Sequence, residues 1–87
     1  MENKLDGNAA AGALQAIFPF EMTQVVVTCA GCGASNLVGE TVVYMSAMGT
    51  IVRCPACDHV LIRVARVKGR DFLDLQGSRV LRIHVEG

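Results

Sequence analysis

Cys29-Ala30-Gly31-Cys32 and Cys54-Pro55-Ala56-Cys57 hold all four cysteines of this 87-residue chain. Each pair leaves two residues between its thiols, the gap that lets one tight turn present two sulfurs to the same ion. Twenty-one residues, 33–53, separate Cys32 from Cys54. That is room for two strands and a turn, just beyond the ~15–20 residues usual between paired Cys-x-x-Cys motifs. Two such turns at the tips of two hairpins bring four sulfurs together from distant parts of the chain. The pattern predicts a metal site built from Cys29, Cys32, Cys54 and Cys57, carried by antiparallel strands.

The neighbouring residues suit such turns. The position after the second cysteine of a knuckle often takes positive φ, and Gly33 stands there. Pro55 presets φ for the second turn. Asp58 occupies the place equivalent to Gly33 and tolerates left-handed backbone better than most residues. A closed four-thiolate site takes zinc by default, with Zn–S near ~2.3 Å and no position open to substrate. One zinc per chain acting as a structural staple is therefore the expectation, with iron and disulfides as the alternatives.

A core drawn from so short a chain is marginal, and small domains often add a metal to hold together. Hydrophobic residues nevertheless make up 52% of the chain. Either the core is well filled or a face is covered by a partner, so a protein partner or self-association is expected. Formal net charge is zero, unlike the strongly basic balance of a dedicated nucleic-acid binder. The charge is unevenly placed: residues 1–52 carry one basic and four acidic side chains, residues 53–87 seven basic and four acidic. The second half thus leaves room for a local basic patch, and nucleic-acid binding stays open as an alternative function. Met1-Glu2-Asn3-Lys4 lacks the basic and apolar regions of a signal peptide. The longest uncharged run, Met22–Gly39, is too polar and glycine-rich to span a membrane. The chain reads as a cytoplasmic protein whose thiols stay reduced.

One domain over 1–87 is expected, with residues 1–7 as a flexible start, a helix over 8–18 and a β region over 22–86. Ala10, Ala13, Leu14 and Ile17 fall on one helical face. Asp6 or Asn8 can cap that helix and Pro19 ends it. The helix is too short to stand alone and must dock on the sheet. Strands are expected over 23–28, 36–44, 50–53, 59–67, 71–76 and 79–85. Turns fall at Met45–Gly49, Lys68–Arg70 and Gly77-Ser78.

Other residues carry less. His59 follows the second knuckle, but four cysteines already fill a tetrahedral shell, which leaves it a supporting or exposed place. His84 falls on the polar side of the last strand. Arg53, Arg63, Arg66, Lys68, Arg70, Arg79 and Arg82 read as solvated strand faces and turns, with no exposed aromatics among them. Met22, Met45 and Met48 read as core fillers or adaptable surface. No nucleophile–base pair, phosphate loop or paired catalytic carboxylates is present, so no enzyme activity and no small-molecule substrate is expected.

Two resemblances follow from these residues. Cys29-x-x-Cys32-Gly33 and Cys54-Pro55-x-Cys57 resemble the knuckles of rubredoxins, which implies iron and electron transfer. Length, the sparse aromatics Phe18, Phe20, Tyr44 and Phe72, and Asp58 in place of glycine set the chain apart from them. Second, Asp6-Gly7-Asn8, the Ala/Leu helix, Phe18, Thr23, Cys29-x-x-Cys32-Gly33, Tyr44, Gly49, Arg53-Cys54-Pro55-x-Cys57 and Asp74-Leu75 together resemble a small bacterial zinc-ribbon family of unknown function. That resemblance covers most of the chain and implies a zinc-ribbon-like fold and zinc. The expected protein is a mostly antiparallel β domain with one N-terminal helix, acting as a small accessory or interaction module.

Overall fold

Residues 42–44 and 49–53 alternate between buried and partly exposed side chains, and this period of two builds the central hairpin. Val43, Thr50 and Val52 point into the core, while Val42, Tyr44, Ile51 and Arg53 point outward. A computed structural model of the chain describes residues 3–83. The expected place of His84, and of Val85 at the end of the last strand, lies outside the described residues.

Eight strands form among the described residues: β1 (Asn3–Asp6), β2 (Val26–Cys29), β3 (Ser35–Leu37), β4 (Val42–Ser46), β5 (Gly49–Arg53), β6 (Val60–Val67), β7 (Arg70–Asp74) and β8 (Ser78–Arg82). They make a five-stranded sheet in the order β1-β4-β5-β6-β7 and a three-stranded sheet in the order β3-β2-β8. Every pairing is antiparallel. The β6–β7 hairpin closes through Lys68 and Gly69 with φ of 51° and 78°, the positive pair of a type I′ turn, whose twist matches that of the strands.

The expected β architecture with one short N-terminal helix is present, with local differences. Residues 1–7, expected as a flexible start, contribute β1, whose Leu5 pairs with Val43. The helix is shorter than 8–18: a 3-10 turn over Gly7–Ala10 leads into α1 (Ala11–Gln15). Asp6 caps the turn by accepting the Asn8 N–H at 3.0 Å. Ala10 and Leu14 are fully buried and Ile17 packs against the core, the docked face the alanine spacing predicts.

The expected strand 36–44 is two strands in different sheets. A 3-10 turn at Val38–Glu40 carries the chain from β3 to β4. It is fixed by the Val38 N–H on the Val25 carbonyl at 2.9 Å and the Thr41 hydroxyl on the Val38 carbonyl at 2.6 Å. Met22–Gln24 likewise form a 3-10 turn, and the strand expected over 23–28 begins only at Val26. The shared core between the sheets holds Leu14, Met22, Val25, Val27, Val38, Val43, Val52, Leu61 and Ile62. Among the described residues no helix is long and apolar enough to cross a membrane.

Candidate metal centre

The four cysteines stand where the two sheets meet. Cys29 ends β2 and Cys32 lies in the β2–β3 turn, so the first knuckle belongs to the three-stranded sheet. Cys54 follows β5 and Cys57 precedes β6, so the second belongs to the five-stranded sheet. A β-bulge sits beside each. The β2–β8 register shifts between Thr28 and Cys29, and the β5–β6 register shifts between Val52 and Arg53. Bulges bend a strand and re-aim its side chains. The second leaves Leu61 unpaired between Val60 and Ile62, so Leu61 and Ile62 are both buried although they are sequence neighbours.

The two knuckles share one backbone design. Cys29 donates its N–H to the Ala34 carbonyl at 2.9 Å and Cys54 donates to the His59 carbonyl at 2.8 Å. The Gly33 and Asp58 amides return to the carbonyls of Cys29 and Cys54, both at 2.9 Å. The Gly31 amide points at Cys29 Sγ at 3.3 Å, and the Ala56 amide at Cys54 Sγ at 3.4 Å. Amides aimed at sulfur stabilise a thiolate, the form that binds metal.

All four Sγ atoms lie within 4.8 Å of one another. Cys29–Cys57 and Cys32–Cys54, the pairs that cross between knuckles, are 3.7 Å apart. A tetrahedron with ~2.3 Å metal–sulfur bonds has edges of about 3.8 Å. The two distances that cross between knuckles match that edge, and none of the sulfurs is bridged to another. Cys29 and Cys54 are buried; Cys32 and Cys57 are exposed. Donor chemistry and spacing both fit a metal ion, and the four residues the spacing predicts are the ones brought together. His59 stays outside the cluster. It is exposed and lies against Gly31, whose added Cβ would approach the imidazole Cγ to 3.2 Å.

The thiols do not share their protons equally. Burial raises the Cys29 pKa, but the Cys32 and Gly31 amides and the Cys57 and Cys32 thiols outweigh it and lower the value to about 7. At Cys57 the His59 amide lowers the pKa, but burial and the thiols of Cys32, Cys29 and Cys54 together push it up to about 12. One thiolate thus forms readily at Cys29, and Cys57 holds its proton until a cation replaces it.

Two contacts around the centre carry no sequence signal. The Ala30 amide bonds the Gly77 carbonyl at 2.9 Å, and the Ser78 hydroxyl bonds the Leu61 carbonyl at 2.8 Å. These tie the β7–β8 connection to the first knuckle and to β6. Arg53 braces the second knuckle: its Nη1 donates to the Asp58 carbonyl at 3.0 Å, and its guanidinium lies 5.4 Å from the Tyr44 ring centroid.

No curated protein and no solved structure matches the chain. A family model matches residues 1–86, and the chain belongs to the family of unknown function (DUF6510).

Proposed function

We propose that this protein is a small cytoplasmic interaction module whose four cysteines hold one structural zinc ion. The observation that carries the reading is the position of the cluster, with two thiols from each sheet and cross-knuckle sulfur distances of 3.7 Å that match a tetrahedral edge. A metal there joins two sheets that otherwise share a small core. Four protein thiolates complete a tetrahedral shell and leave no place for a substrate, so the ion supports folding and carries no catalysis. Reducing conditions in the cytoplasm keep all four thiols available. The apolar surface supports a protein partner: Leu5, Met48, Val67, Phe72 and Val80 are all exposed.

Native mass spectrometry with elemental analysis, on protein purified from its own host, tests this. One zinc per chain, lost together with cooperative folding on chelation, supports it. One iron with a reversible one-electron couple replaces it with electron transfer.

A second reading, nucleic-acid binding, is favoured by one observation. Register places Tyr44, Ile51 and Arg63 in one row across the outer face of the five-stranded sheet, with Phe72 beside Ala65. Arg53 and Arg70 share that face, so aromatic and basic residues interleave where the sequence predicted only solvated charges. Absence of salt-dependent binding to single-stranded oligonucleotides at low ionic strength removes this reading.

A further inference from the structure

β7 closes one side of the five-stranded sheet, with β6 on its inner edge and, among the described residues, no strand on its outer edge. Its sequence is Arg70-Asp71-Phe72-Leu73-Asp74. Leu73 pairs with Val64 and packs against the core. Asp71 is held by its register partner Arg66, with Nε on Oδ1 at 2.7 Å and Nη2 on Oδ2 at 3.1 Å. The other three side chains, Arg70, Phe72 and Asp74, lie on the outer face. Phe72, at the middle of the strand, is 56% exposed. Among the described residues neither Arg70 nor Asp74 makes a salt bridge. Asp74 accepts the Gln76 amide at 2.9 Å and stands opposite Arg63 in the β6 register, with no ion pair between them. Of the free edges β1, β3, β7 and β8, only β7 carries an aromatic.

We propose that the outer edge of β7 is a self-association site, pairing antiparallel with β7 of a second copy about a two-fold axis at Phe72. This deepens the interaction-module reading and rests on it. Opposed residues of an antiparallel pair point to the same face. Phe72 then meets Phe72 of the second copy, and Arg70 of each chain faces Asp74 of the other. The unpaired charges become two symmetric ion pairs flanking an aromatic contact. Asp71, already neutralised by Arg66, faces Leu73 of the second copy. The adjacent symmetric registers that keep the faces aligned lose this match. One sets Asp71 against its own copy and Arg70 against Phe72, and the other sets Phe72 against Asp74. Charges of both signs on an edge strand repel most foreign strands but complement this strand's own reverse. The isologous contact closes at two copies and joins two five-stranded sheets into one.

The test is sedimentation velocity on metal-loaded, full-length chain over a concentration series, with metal content and circular dichroism confirming that each variant is folded. Wild type is expected to dimerise reversibly. Arg70→Asp and Asp74→Arg, each alone, set like charges opposite one another and weaken self-association by at least about tenfold. An equimolar mixture of the two variants restores dimer as a heterodimer, and the double variant R70D/D74R restores the homodimer. Folded wild type that stays monomeric overturns the proposal. So do single variants that dimerise like wild type, and a mixture that fails to rescue. A monomer that co-purifies with a different protein overturns β7 pairing while leaving the interaction module standing. A chain without metal overturns the structural staple separately.

Discussion

Asp58 reproduces at the second knuckle the left-handed backbone that Gly33 adopts at the first, with φ of 66° against 79°. Both amides close onto the carbonyl of the leading cysteine in their knuckle. A side chain in this conformation costs roughly 1–2 kcal/mol, least for Asp, Asn and Gly. Asp58→Gly should therefore change stability by less than about 1 kcal/mol, while Asp58→Val should lose about 1–2 kcal/mol or more. Denaturant unfolding of the metal-loaded variants measures this, and a Val variant as stable as wild type would show that the second knuckle is not so constrained.

Removing a ligand should have a much larger effect than straining the backbone. Cys54 is buried and Cys32 exposed, but both belong to the same four-thiol cluster. Cys54→Ser and Cys32→Ser are expected to lose the metal and the cooperative melting transition alike, because metal binding is part of the folding free energy. Thermal melts with and without a chelator decide the point. A Cys54→Ser protein melting like wild type refutes the structural role.

Metal affinity should depend on pH with a break near neutrality. Above about 7 Cys29 is already a thiolate, whereas Cys57 holds its proton to about 12. A cation displaces the Cys57 proton at any ordinary pH, and the Cys29 proton only below about 7. Affinity is expected to fall as pH is lowered, and more steeply below about 7, where one more proton competes. In the metal-free chain Cys29 lies below its ordinary 9.0. Its stabilising contribution is thus fully present above that value and is lost as pH falls through about 7. Competition with a chromophoric chelator across this range gives the slope; an equal slope on both sides of 7 contradicts the assignment.

Two glycines of the N-terminal segment should respond in opposite directions. A Cβ on Gly7 would lie 1.7 Å from the Val38 carbonyl oxygen, a backbone atom that cannot turn aside. Gly7→Ala is expected to cost about 2 kcal/mol or more. Gly12, inside α1, has nothing within 4 Å of such a Cβ. Gly12→Ala should add up to about 1 kcal/mol through helix propensity. Equilibrium unfolding of both variants checks the pair, and equal effects would place Gly7 away from the Val38 turn.

The ligand set was legible in the sequence because Cys-x-x-Cys is a local device: one turn holds two sulfurs, and Gly33 and Pro55 favour that turn. The strand over 50–53 and the Lys68-Gly69 turn were legible for the same reason, since strand preference and turn chemistry act over a few residues. The start at Asn3–Asp6 was not, because a short polar segment becomes a strand only when β4 supplies the hydrogen bonds. The break at Val38–Glu40 was also hidden, since an apolar–polar run reads as one strand until Val25 takes the Val38 amide. By itself, then, the sequence determined which four thiols meet and which short segments favour strand or turn. Only the tertiary structure decided that the two knuckles belong to different sheets, that bulges aim them at one point, and that β7 is left with an open edge. These depend on hydrogen bonds and packing between residues far apart in the chain, whose partners no local pattern specifies.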